Sequence, residues 1–281
     1  MSGLIEYFSN ISTEERSLIL VLGLVLLMTA ETLVPQINMN YKKIKHGATN
    51  IFFTSMTLII NLIGAIFIIK AINFCQINNL GLLNIITLPN WLSIILGLAI
   101  LDLIGAWFVH WLQHSIRWMW KFHLIHHTDP NVDATTGLRH HPGENIFRLL
   151  FTILAILASG ASLGLVMMYQ TISVFFAHLT HANIRIPSSL DKYLSCIFVT
   201  PFFHKVHHHY SQPHTDSNYG NIFSIWDHLF GTAKSFYNLK DLIYGIDTHM
   251  DPKEHSRLPN LLLIPFQTHR KPKNKSRGQV R

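Results

Sequence analysis

Three apolar runs, Ser17 to Val34, Ile51 to Ala71 and Trp91 to Trp111, constrain this chain more than any other feature. Each is close to the ~20 residues that a helix rising 1.5 Å per residue needs to cross a bilayer core of about 30 Å. One or two soluble domains would suit 281 residues, but 49% of the residues are hydrophobic, 13% are charged and the mean hydropathy is +0.26, which points to a membrane protein. The first run follows a mildly acidic head, Met1 to Arg16, and no small-residue cleavage pattern comes after it. It is therefore expected to stay in the membrane as a helix, not to be removed as a signal.

Charge placement orients the spans. The net charge of +7 is concentrated at Tyr41-Lys42-Lys43-Ile44-Lys45 and in the stretch from Arg270 to Arg281. Basic stretches beside apolar ones suit anionic lipid headgroups, and no nucleic acid partner is expected. The loop from Ile72 to Asn90 carries no charge, and the head carries Glu6, Glu14 and Glu15. By the positive-inside rule the lysine loop is cytoplasmic, the head and the second loop are outside, and the third helix leaves the membrane on the cytoplasmic side at His110. A further apolar block, Ile146 to Phe176, is broken at Ser159-Gly160-Ala161-Ser162-Leu163-Gly164, which predicts a helical hairpin that returns to the same side. The expected fold is all-α: a polytopic membrane helical bundle with a cytoplasmic histidine-rich helical cap. Residues 1–90 would form an N-terminal transmembrane region. Residues 91–235 would form the catalytic domain, with the hairpin at 146–180, and residues 236–281 a basic cytoplasmic tail.

The word H-x-x-H-H occurs twice, in "FHLIHHTD" from Phe122 and "FHKVHHHY" from Phe203. With 19 histidines in the chain, three at fixed spacing are expected only roughly 0.1 times by chance. On a helix, positions i, i+3 and i+4 share a face, so His123, His126 and His127 project together, as do His204, His207 and His208, while His110 and His114 pair at i, i+4. His178 and His181 bring the set to ten, too many for one four-coordinate site and the natural number for two metals in one pocket. Cys75 and Cys196 make no C-x-x-C pair, so histidine and carboxylate must hold any metal, and imidazole suits iron, zinc and copper alike. His46, His214, His249, His255 and His269 are expected to be ordinary interfacial or hydrogen-bonded histidines.

The order of these words, with "TPFFHKVHH" from Thr200, "NYG" from Asn218 and "WDHLFGT" from Trp226, resembles the fatty acid hydroxylase and sterol desaturase superfamily of integral-membrane oxygenases over roughly Leu101 to Thr232. The resemblance implies two iron ions (a di-iron centre), with dioxygen (O2) as co-substrate, hydroxylating or desaturating an unactivated C–H site of a sterol-like, acyl or ether lipid. It carries the metal and catalytic role onto His110, His114, His123, His126, His127, His181, His204, His207 and His208, with His178 a further metal ligand. "RHHPGE" from Arg139 holds the Arg-x-His-Pro word of such relatives and leaves open whether His141 touches the metal shell; no haem domain surrounds it, so electrons must come from a separate cytochrome b-type or ferredoxin-like donor.

Other residues leave alternatives open. Asp102 lies two turns before His110, about 12 Å along the axis, too far to be a ligand; it serves a proton or a structural role. Asp227 either accepts a hydrogen bond from a ligand histidine or caps a turn, and His228 is structural. Substrate specificity is expected in the apolar walls between Phe147 and Phe176. The competing function is a non-redox zinc-binding membrane protein, a carrier or sensor; transport is disfavoured because the histidines begin only where the third helix ends.

Overall fold

The computed structural model describes residues 2–236 and 241–273. Five helices are long and apolar enough to cross a membrane, and among the described residues the only extended pairings are isolated bridges, so the chain is an all-α, multi-pass membrane protein. A short amphipathic helix, α1 (Ser2–Asn10), packs across α9 (Leu163–His181) and precedes the first span, α2 (Thr13–Leu33). Ser12 opens α2 with a capping box: its hydroxyl accepts from Glu15 N–H while the Glu15 carboxylate accepts from Ser12 N–H.

The second span departs from the expected Ile51 to Ala71. Helix α3 runs Lys43–Ile77, 35 residues, or about 50 Å, which overshoots a bilayer core. Its extra N-terminal turns carry Lys45, His46 and Asn50 to the histidine end, and Ile72 and Cys75 are buried where an uncharged loop was expected. After a short turn, α4 (Leu82–Ile85), the third span combines α5 (Asn90–Asp102), a π-helical turn (Leu103–Phe108) and α6 (Val109–Ser115). Leu18, Leu22, Leu62 and Ile66 point outward from α2 and α3, as side chains that face lipid must.

The hairpin forms as α8 (Pro142–Ser159) and α9. Gly160, at φ +71°, ends α8 in the left-handed conformation, and Ser162 caps α9. A β-carbon on Gly81 would lie 2.1 Å from the Gly160 nitrogen, so the two turns at this end of the bundle close against each other without room for a side chain. The main core, built from α3, α5, α8 and α9, includes Leu101, Ile156, Val166 and Tyr169.

A cap of short helices covers the opposite end: α7 (Arg117–His127), α10 (Ser188–Leu194), α11 (Pro201–His207) and α12 (Ile225–Leu229). Asp102 fastens this cap to the third span. Its buried carboxylate accepts from Ile222 N–H, Phe223 N–H and the Trp226 indole, a structural role, while the proton role has no support in these contacts. Part of the segment expected to be a basic tail is folded: α13 (Pro252–Ser256) and α14 (Leu258–Leu263) bring Leu261 and Ile264 into a core with Phe53, Leu124 and Ile125. Burial of these apolar side chains outweighs the basic composition around them.

Candidate metal centre

The four histidine segments meet where α6, α7, α9 and α11 end. Thr200 caps α11 by accepting from Phe203 N–H, and Pro201 occupies the first helical position, so the helix starts where its histidines reach the pocket. Arg139, fully buried, donates to the Ile125 carbonyl, Thr128 Oγ1, Asn50 Oδ1 and the His255 carbonyl, fixing the end of α7 beside its histidines.

Nine of the ten expected ligands divide into two adjacent groups. His110, His114, His123, His127 and His207 form one, and His126, His181, His204 and His208 the other; within each group one nitrogen of every ring lies within 4.8 Å of all the others. In the first, His123 Nε2 is 3.0 Å from His110 Nε2 and 3.2 Å from His127 Nε2. In the second, His181 Nε2 is 3.0 Å from His126 Nε2, 3.1 Å from His204 Nε2 and 3.0 Å from His208 Nε2. Helical geometry explains the division. At about 100° per residue, positions i and i+4 are separated by about 40° while i+3 lies about 60° to the other side. Box 123–127 therefore gives His123 and His127 to the first group and His126 to the second, and box 204–208 does the reverse.

Four of the five outer nitrogens of the first group are held. Nδ1–H donates from His110 to the Tyr219 carbonyl (2.8 Å), from His123 to Glu144 Oε1 (2.9 Å), from His114 to Asp216 Oδ1 (3.1 Å) and from His207 to the Ser217 carbonyl (2.6 Å). These bonds fix the tautomer and leave Nε2 a free lone pair aimed inward. Nε2 of His114 and of His207 is buried and has no hydrogen-bond partner, the condition expected of a nitrogen shaped to bind a metal. Burial holds His123 and His204 down at about 3, at His123 against the opposing pull of the Glu144 carboxylate, and His126, His127, His207 and His208 are likewise well below their ordinary value. Neutral, convergent imidazoles are the form that binds a metal, so the residues present fit a two-metal centre.

The remaining candidates stand outside both groups. His178, three residues before His181, is turned away from both groups and donates to the Ala134 carbonyl at 3.0 Å. His141 is the N-cap of α8, its Nδ1 accepting from Gly143 N–H, and joins neither group. Asp227 accepts from the Trp107 indole, Tyr219 N–H, Gly220 N–H and the Thr232 hydroxyl, and from no histidine; it acts on His110 only through the Tyr219 peptide whose carbonyl His110 binds. His228 is structural, facing the Ser195 carbonyl.

His46 is hydrogen-bonded, as expected, and largely enclosed: it sits 2.8 Å from Asp129 and 3.1 Å from Asp133, pinning the overshooting end of α3 to the loop after the first box. Burial would raise the Asp129 carboxyl, yet the facing His46 holds it well below the usual carboxylate range. His249 is buried as well.

Glu144 and His140 were missed. The buried Glu144 Oε1 receives His123, His140 and Arg148, and the His140 ring stacks on His126 at 4.7 Å. The only sequence signal was a carboxylate one turn into the helix that follows Arg139-His140-His141-Pro142.

A model of the fatty acid hydroxylase family matches residues 94–232, the stretch that supplies every histidine of both groups. Over those residues this chain belongs to the fatty acid hydroxylase family. The domain is 29% identical over 144 residues to the ornithine lipid hydroxylase OlsE of Rhizobium tropici, covering 51% of this chain and 42% of that one. It is 27% identical over 160 residues to the alkylglycerol monooxygenase of Homo sapiens, covering 57% and 33%. Methylsterol monooxygenase 1-3 of Arabidopsis thaliana is 22% identical over 209 residues, covering 72% and 70%. The chain thus spans less than half the length of the first two relatives. No solved structure matches.

Proposed function

We propose that this fatty acid hydroxylase-family chain is a membrane-bound oxidoreductase that uses dioxygen to hydroxylate or desaturate a C–H site of a sterol-like, acyl or ether lipid, with an iron ion on each histidine group. The observation that carries the reading is the convergence of nine histidines, eight of them buried, in two adjacent groups at the end of membrane-spanning helices. A redox-inert zinc carrier would not require two such groups side by side, and the relatives named above are hydroxylases and monooxygenases.

When bound, the iron pair supplies reductive activation of dioxygen toward an unactivated C–H bond. The chain's own residues do the rest. The His110, His123 and His207 rings are held by Tyr219, Glu144 and Ser217, so their lone pairs need no reorganisation. Their burial keeps the histidine nitrogens away from bulk water. Hydroxylation puts one oxygen atom into the C–H bond and releases the other as water; desaturation removes two hydrogens and releases both as water. Either consumes two electrons and two protons from outside, which a separate cytochrome b-type or ferredoxin-like donor would deliver.

The cytoplasmic face is the supported location for the site. Lys43 pairs with Glu31 at 2.8 Å, and Glu31 also accepts from Ala134 N–H and Asn183 N–H, so the basic loop that orients the chain lies at the histidine end.

The test is untargeted mass spectrometry of lipids from cells expressing the wild type or His207→Ala under air. A lipid that gains one oxygen atom or loses two hydrogens only with the wild type is the expected result. Full activity in His207→Ala would sink the assignment.

A further inference from the structure

The third span is not a uniform α-helix. Between Asp102, held by the cap, and His110, the turn Leu103–Phe108 is π-helical, a wide turn found preferentially at functional sites. Beside it lies a cavity of about 450 Å³, walled by span residues that include Ile104, Trp107, Phe108 and Trp111, and by Phe230 and Thr232 of the cap.

This cavity is apolar and faces the bilayer. The Thr232 hydroxyl, its one polar side-chain group besides the tryptophan indoles, is already committed to Asp227 at 2.6 Å, and the Trp107 indole to the same carboxylate at 3.0 Å. A polar ligand therefore finds little to bind. Phe230 is 52% exposed and its neighbour Leu229 68%, so the cap offers apolar side chains beside a membrane-spanning wall, where lipid covers them.

The cavity also adjoins the first histidine group. Trp107 stacks on Phe230 at 4.5 Å and meets the Tyr219 ring edge-on at 6.4 Å. Tyr219 in turn lies 5.5 Å from His110, 5.1 Å from His114 and 5.8 Å from His207, ring centre to ring centre. One aromatic layer separates an apolar, bilayer-facing space from five convergent imidazoles.

We propose that this cavity takes the alkyl chain of a membrane lipid, which enters sideways from the bilayer and lies against Trp107, Phe108 and Phe230. That the bound chain belongs to the substrate rests on the oxidation reading above; that the cavity binds a chain does not. Selectivity for chain shape is thereby assigned to the π-helical turn, not to the α8–α9 walls alone, although Phe151 of α8 backs the turn by packing on Phe108 at 5.7 Å.

The experiment is photolabelling of the metal-loaded, full-length protein in bilayer discs of phosphatidylcholine doped with a phosphatidylcholine that bears a diazirine part-way along one acyl chain. Adducts are mapped by mass spectrometry, with Leu62 and Ile66 of α3 as the reference for bulk lipid. Labelling of Trp107, Phe108 and Trp111 should exceed the reference, and should fall to it in Ile104→Trp, which fills the cavity, while metal content stays at the wild-type level. Phe230→Ala, at an exposed position outside the span, should raise labelling, so the proposal does not depend on the folding of one variant. Cavity labelling equal to the reference in the wild type, or unchanged in both variants, overturns it. No turnover is needed for the readout: a labelled cavity in a protein that oxidises no lipid would defeat the catalytic reading and leave chain binding established.

Discussion

His123 Nδ1 lies 2.9 Å from Glu144 Oε1, and both side chains are sealed from solvent. The same oxygen receives His140 at 3.0 Å and Arg148 at 2.9 Å, so one carboxylate holds a ligand imidazole, its neighbour and a cation at once. Glu144→Ala is expected to weaken metal retention by about 10- to 100-fold, the usual effect of removing a hydrogen-bond partner of a ligand. Glu144→Gln, which keeps an acceptor, should lose less. Chelator competition followed by elemental analysis reads both; wild-type retention in Glu144→Ala would remove the role.

The two middle histidines should separate cleanly. His181 stands among three nitrogens at about 3 Å, whereas His178 faces a backbone carbonyl. His181→Ala is expected to lower metal content and abolish turnover, while His178→Ala keeps its metal. Equal metal loss in the two variants would return His178 to the ligand set.

Asp227 ties the third span to the cap through Trp107, Tyr219, Gly220 and Thr232. Leaving a buried donor unsatisfied costs about 1–3 kcal/mol. Asp227→Ala should therefore unfold at clearly lower denaturant concentration in detergent than the wild type, even without metal. A midpoint unchanged within error would show that water replaces the carboxylate.

Acidification should loosen the metal-free protein. His123 and His204 are held at about 3 by burial, well under their ordinary 6.5. A depressed histidine contributes full stability above its unfolded value, and that contribution is lost as pH falls from about 6.5 toward about 3, because the unfolded chain takes up protons that the folded one refuses. Each such histidine adds about 1.4 kcal/mol per pH unit to the slope. Unfolding midpoints measured between pH 7 and 4 should drop steadily; a flat profile would mean that protonation is tolerated in the folded pocket.

The spans were legible because bilayer thickness dictates their length, and the hairpin because Gly160 and Ser162 mark where one arm must stop and the next begin. The N-terminal extension of α3 was not, since beyond the bilayer a helix is kept by tertiary contacts, here His46 on Asp129 and Asp133, which no periodic pattern announces. The histidine boxes could be read from their spacing alone, and even their division follows from helical angles. Glu144 stayed hidden because its partner is 21 residues away on another helix. The folding of Leu261 and Ile264 was overlooked for the opposite reason: a short apolar word was outweighed by the basic residues that follow it.

The opposite division of the two boxes has a consequence for assembly. Neither histidine group is complete on any one helix: the first draws on α6, α7 and α11 and the second on α7, α9 and α11. Each complete group is thus a statement that distant parts of the chain have come together across the hairpin. Losing either box damages both groups, and neither group has its full set of histidines until α11 has packed against α7. Both full sets of nitrogen donors are therefore a property of the assembled bundle and of no single segment.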